Sequence, residues 1–170
     1  MRMPRLVAVA ALPASGKSTI TGYMEQELGF VRLSGDEEME TEYGGPGWYG
    51  KISEEQKRAA FERLCRKRNE CLRAGRDVVI DTTGYCERFR KDNLGTGEPC
   101  RKYLIWIKLD PGAHAALIRK KGWAPGVIEK WKKERAWEDP KESSEYQLIV
   151  CENWGLEHLK QDLRNRFSGK

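Results

Sequence analysis

Residues 5–12, RLVAVAAL, are apolar without alternation, and Pro13 and Gly16 break the run before a helical pattern begins at Lys17. A strand that is apolar on both faces must be covered on both faces, which is the condition of a strand inside a parallel sheet. Parallel neighbours need crossover connections, normally helices, so this one segment predicts alternating strands and helices. The rest of the chain supplies them. Further strands are expected at residues 30–33, 77–80, 103–109 and 147–151. Helices are expected at 17–28, from a Ser53/Gln56 capping box to a stop at Gly75, at 87–93, at 111–121 and at 125–137. A C-terminal helix is expected from the spacing of Leu156, Leu159, Leu163 and Phe167. Between residues 42 and 51, Gly44, Gly45, Pro46, Gly47 and Gly50 predict an irregular loop. The expected fold class is α/β, a single domain over residues 1–170 whose five-stranded parallel sheet carries helices on both faces.

At 170 residues and 39% hydrophobic composition the chain can bury a core of its own. The apolar run at residues 6–12 is far short of the roughly 20 residues that span a bilayer. The turn that follows it is unlike a signal peptide, so a cytoplasmic location with no membrane association is expected. Cys65, Cys71, Cys86, Cys100 and Cys151 form no C-x-x-C pair and have only His114 and His158 as possible co-ligands. Free thiols in a reducing compartment are therefore expected, not a disulfide framework or a structural zinc. The 31 basic and 26 acidic residues are interspersed, and the net charge of +5 permits an anionic ligand such as a nucleotide or nucleic acid without forming a polybasic tail.

The turn after the first strand, Ala11-Leu12-Pro13-Ala14-Ser15-Gly16-Lys17-Ser18, matches the phosphate-loop pattern G-x-x-x-x-G-K-[ST] except that Ala11 stands at the first glycine. A methyl is tolerable there if the backbone φ is negative. In such a loop Pro13, Ala14, Ser15, Gly16, Lys17, Ser18 and Thr19 cradle a nucleotide, with backbone N–H groups and the helix dipole directed at the β-phosphate. Lys17 would neutralise the β- and γ-phosphates, and the Ser18 hydroxyl would ligate Mg²⁺. The competing reading is a Gly-Lys turn that serves only packing.

Four landmarks carry a wider resemblance: LPASGKST (12–19), Asp36 in SGDEE, ECLRAGRDVVIDTT (70–83) and RKKGWAP (119–125). With them the chain resembles the polynucleotide-kinase-like group of P-loop kinases, over most of its length. EDPKESSEY (138–146) looks more loosely like the family's loop near the adenine. The resemblance implies a P-loop kinase domain with ATP and Mg²⁺ as cofactors and a small helical lid at about 112–137. It implies that Asp36 is the general base for an attacking hydroxyl, at the strand edge where the phosphate loop also opens. Asp81, closing the strand DVVI, would hold Mg²⁺ with Ser18. Arg119 and Lys121 are candidate catalytic cations of the lid, and Lys120 a candidate nucleotide contact. Arg88, Thr83, Trp48 and Tyr49 are candidate acceptor contacts, the two aromatics by stacking an unpaired base. Each has a plainer competing role: Asp36 as a turn residue, Asp81 as a helix cap, the three lid cations as a solvated helix end, the aromatics as loop anchors.

Two departures bear on the acceptor. Relatives that act on nucleic acid commonly carry an arginine one turn after the strand-end aspartate. Here Glu37, Glu38, Met39 and Glu40 stand in that stretch, three carboxylates that would repel a phosphate, and Thr83 replaces the usual asparagine after Asp81. Three readings follow. The first is an ATP-dependent kinase for a nucleic-acid 5′-hydroxyl end, the second a kinase for a small polar or cationic acceptor, and the third a nucleotide-binding module without transfer.

Overall fold

Residues 2–152 and 155–168 are described by the computed structural model, and five strands within them form one parallel sheet. The strands are β1 (Arg5–Ala11), β2 (Val31–Ser34), β3 (Val78–Asp81), β4 (Arg101–Lys108) and β5 (Gln147–Glu152), in the spatial order β2-β3-β1-β4-β5. The expected α/β class and covered sheet are thus observed. β1 is buried along its whole length, as its unbroken apolar run requires.

Side chains alternate between the two faces of β1 and reach two cores. Val7 and Val9 join Ile20, Met24, Leu159, Leu163 and Phe167 beneath helices α1 (Lys17–Leu28) and α7 (Leu156–Phe167). Leu6 and Ala8 join Leu64, Leu72 and Leu94 beneath α3 (Glu54–Arg73) and α4 (Glu87–Leu94). α3 starts from the expected capping box: the Ser53 hydroxyl accepts from the Gln56 N–H at 3.1 Å, and Gln56 Oε1 accepts from the Ser53 N–H at 2.9 Å.

One helix was not expected. α2 (Gly35–Tyr43) occupies the stretch after β2, so the irregular loop begins only at Gly44. The Ser34 hydroxyl accepts from the Glu37 N–H, and Asp36, Glu37 and Glu38 lie in the first turn, where carboxylates complement the helix dipole. The pair α5 (Pro111–Lys120) and α6 (Val127–Arg135) follows β4 with the expected break between its members.

The connection leaving β1 runs toward the β2 side of the sheet, while the one leaving β3 crosses to β4 on the other. The connections therefore part between the neighbours β1 and β3, the position at which open α/β sheets hold ligands beyond their carboxyl ends. The phosphate-loop pattern leaves β1 there, and Asp81 ends β3. Among the described residues no helix is long and apolar enough to cross a membrane.

Candidate active site

The loop after β1 is curled by two left-handed residues, Ala14 (φ 61°) and Gly16 (φ 87°), and the Ser15 hydroxyl donates to the Leu12 carbonyl at 2.6 Å. A non-glycine residue in that region costs about 1–3 kcal/mol and is kept where the surroundings impose it. His114, buried on α5, donates through Nε2 to the Pro13 carbonyl at 2.8 Å, so the helix after β4 pins the loop from the other side. Ala11 is not among the positive-φ residues and lies inside β1, so its methyl meets the condition for replacing glycine. Ser18 and Thr19 are exposed at the first turn of α1.

Asp81, only 3% exposed, is the centre of the site's charge. Oδ1 pairs with Lys17 Nζ. Oδ2 accepts from the Thr21 hydroxyl at 2.9 Å and from Arg32 at 2.8 Å (Nε) and 2.5 Å (Nη2). Burial works to raise the carboxyl's pKa, but Lys17, Arg32 and Thr21 together outweigh it and hold Asp81 below the ordinary aspartate range. Arg32 reaches on to Glu37 at 2.9 Å. Nothing in the phosphate-loop pattern points to Arg32, yet the sequence held a signal, since a cation inside a short strand that should be covered on both faces needs a buried partner.

Strand pairing sets Ser34 of β2 beside Asp81 of β3, and Asp36 follows two residues later, exposed on the first turn of α2. Pro13, Lys17, Asp36, Asp81 and Thr83 line one cleft of about 930 Å³, which also takes in Trp48 and Tyr49. Seven of the residues singled out in the sequence are thereby brought together.

Thr83 is carried across the end of β1. The Ala11 N–H donates to the Thr83 carbonyl at 3.3 Å, and Gly84 lies so close behind that a Cβ there would be 2.8 Å from the Val9 carbonyl oxygen. With φ at +56°, this position requires glycine.

Other candidates lie elsewhere. Arg88 is exposed and opens onto a separate hollow with Glu87, Lys91, Asp92 and Glu138. The arginine turned inward is Arg90, 1% exposed, which donates to the Gly84 carbonyl at 2.6 Å and to the Glu138 carbonyl, and stacks over Trp137. A pair of arginines two residues apart on a helix projects to different sides, and sequence did not indicate which side is buried. Arg119, Lys120 and Lys121 are exposed at the end of α5, outside the cleft lining. Lys121 packs on the ring of Trp123, which does line the cleft. In the 138–146 segment, Glu138 caps α4 by accepting from the Glu87 N–H at 2.9 Å, and Tyr146 packs in the core beneath α3 and α4.

Two of the three carboxylates expected to repel an acceptor phosphate are paired with cations. Glu38 is 5% exposed and pairs with Arg63 at 2.5 Å and with Lys67 at 2.5 Å, while Glu37 pairs with Arg32. α2 turns Glu38 toward α3, whose cations sit at helical spacing opposite it. Burial tends to raise the pKa of Glu38, but Lys67 and Arg63 pull it below the usual range.

A family model described as an AAA domain matches residues 6–144. No curated protein sequence matches the chain. Among solved structures the chain is similar to a protein from Chloroflexus aurantiacus, with a TM-score of 0.73 and 19% identity over 99% of this chain and 98% of that one. It is also similar to a sugar kinase from Janibacter sp. HTCC2649 (TM-score 0.69, 16% identity, 95% of this chain and 93% of that one). A chain of the Pnkp1/Rnl/Hen1 RNA repair complex is a further likeness (TM-score 0.59, 19% identity, 85% and 51%). At these identities the likeness is one of fold.

Proposed function

We propose that this chain, which belongs to the AAA domain family, is an ATP-dependent phosphotransferase that moves a γ-phosphate onto an acceptor hydroxyl. The observation that carries the reading is the single cleft shared by Lys17, Asp36 and Asp81, with the curled loop of Ala14 to Ser18 at its end. A nucleotide-binding module without transfer would need the loop but not an exposed carboxylate beside it.

In this reading the loop N–H groups and the α1 dipole hold the β-phosphate, and Lys17 leaves Asp81 to neutralise the β- and γ-phosphates. Asp36 accepts the acceptor's hydroxyl proton as its oxygen bonds the γ-phosphorus, and the bond to the β-phosphate oxygen breaks to leave ADP. Ser18 and Asp81 offer the hard oxygen donors that Mg²⁺ prefers, and Oδ1 of Asp81 becomes available when Lys17 moves. Mg²⁺ bound there would screen the charge of the phosphates. The α5–α6 segment is the lid: its closure would bring Arg119, Lys120 and Lys121 to the phosphates and exclude water.

Two acceptor classes have support. Trp48 and Tyr49 in the cleft suit a base at a nucleic-acid 5′ end, and one similar structure is of an RNA repair complex. A small acceptor is supported by the bounded volume of the cleft and by the likeness to a sugar kinase. The test of the reaction itself is transfer of labelled γ-phosphate from ATP to 5′-hydroxyl oligonucleotides, nucleosides and polar metabolites. Lys17→Ala should cut transfer by at least about 100-fold while the circular dichroism of the fold is unchanged, because electrostatic stabilisation at the phosphates is lost. A folded Lys17→Ala chain with near wild-type turnover would contradict the assignment.

A further inference from the structure

Besides Lys17 and Asp36 the cleft carries lining of a different character. Phe61 of α3, Phe89 of α4 and Tyr85 before it form a continuous aromatic wall, with Tyr85 stacked on Phe89 at 5.1 Å and Phe61 at 5.9 Å from Phe89. Trp48 from the loop after α2, and Trp123 and Trp131 from the α5–α6 segment, line the same space. Large rings left half-exposed and gathered into one concavity are uncommon in a folded surface and mark a place where apolar surface is to be covered. The volume, about 930 Å³, is that of a small-molecule site.

The charges on the lining balance. Lys17, Lys57, Arg58 and Arg135 are matched by Asp36, Glu38, Glu54 and Asp81. Most are already engaged: Lys57 with Glu54 at 2.5 Å, Lys17 with Asp81, Glu38 with Arg63 and Lys67, and Arg135 with the Tyr49 hydroxyl at 3.2 Å. A groove that tracks a phosphodiester strand needs uncompensated cations along its length. A polyol would need a matched set of polar partners, and an aromatic wall offers few.

We propose that this half of the cleft is an acceptor subsite for an uncharged alcohol with a planar ring system, about the size of a nucleoside, held between the Phe61–Phe89–Tyr85 wall and the tryptophans. The subsite deepens the phosphotransferase reading and rests on it for the direction of the hydroxyl, which must point to Asp36. Ring faces supply the affinity, so binding is nearly independent of salt and tolerant of ring identity.

Isothermal titration calorimetry of the full chain with thymidine, 2-(2-naphthyl)ethanol, D-gluconate and a 5′-hydroxyl hexanucleotide tests it. The planar alcohols should bind more tightly than gluconate, and their affinity should change less than about twofold between 50 and 200 mM salt. Phe89→Leu and Trp131→Leu keep apolar bulk but remove a ring, and each should weaken planar binding by about tenfold. Tighter binding of gluconate, or of the hexanucleotide with an affinity falling tenfold or more over that salt range, would overturn the proposal. So would equal planar binding by the folded leucine variants, or the absence of planar binding to the wild-type chain. Labelled transfer on the same probes separates the two readings. Planar binding without transfer to any probe overturns the phosphotransferase, and with it the acceptor role, and leaves a pocket for planar rings. Transfer to gluconate or the hexanucleotide in preference to the planar alcohols overturns the subsite and leaves the phosphotransferase.

Discussion

Asp81 shows how one buried carboxylate organises the residues around it. Three donors converge on its two oxygens, and under the proposed function only Lys17 among them serves a bound nucleotide, so that Arg32 and Thr21 would remain to hold the charge when Lys17 moves away. Arg32→Met should therefore lower stability by about 1–3 kcal/mol, the usual worth of a charged hydrogen bond whose partner stays buried, as read from urea unfolding. An unchanged unfolding midpoint would mean that solvent replaces Arg32 at no cost. Lys17 stood out because it fills a motif position and Asp81 because it ends a strand, whereas Asp36, two residues past β2 on the first turn of α2, was singled out only through the family resemblance. For Arg32 only the need of a buried partner was legible, because the partner's identity is set by pairing across β2 and β3, where Leu33 stands opposite Ile80 and Ser34 opposite Asp81. Register between strands distant in sequence is not printed in either strand.

Among the elements, the strands were legible from apolar runs and α3 from its capping box, because those signals are local. α2 was not. Its only apolar side chains are Met39 and Tyr43, so it carries no helical stripe, and what stabilises it is the Ser34 cap and the pairing of Glu38 and Glu42 with Arg63 on α3. The crossing of the 82–86 segment over β1 was equally hidden, since it depends on Gly84 meeting the Val9 carbonyl. Gly84→Ala should destabilise the chain by about 1–3 kcal/mol through left-handed strain and the backbone clash, and should impair transfer by displacing Thr83. Thermal unfolding at the wild-type temperature would refute that account of the loop.

At the scale of the molecule, ion pairs at opposite ends of the sheet tie stability to pH. Beyond the site, Asp77 begins the β3 region and accepts from Arg5 at 2.7 Å (backbone N) and 3.0 Å (Nε), while Arg5 also donates to the Phe167 carbonyl at 2.6 Å. Burial pushes Asp77 up, but Arg5 and Arg2 bring it below the usual value, as their own partners do for Asp81 and Glu38. Carboxyl pKa values lowered by folding contribute stability that is present above the unfolded value of about 4 and is lost as pH falls through the folded values. The urea midpoint should thus hold from pH 7 to 5 and fall steeply below 4. Asp77→Asn should flatten part of that fall while leaving transfer per folded molecule intact; a wild-type acid profile would mean that the pair is not coupled to folding. The sheet edge that gathers the loop, Asp81 and Asp36 leads to one decisive quantity, the turnover of Asp36→Asn with the acceptor that the wild-type chain phosphorylates best. The account predicts ATP affinity within about twofold of wild type and a turnover lower by about 10²- to 10⁴-fold, the worth of a positioned general base. Near wild-type turnover, or a loss confined to ATP affinity, would contradict it.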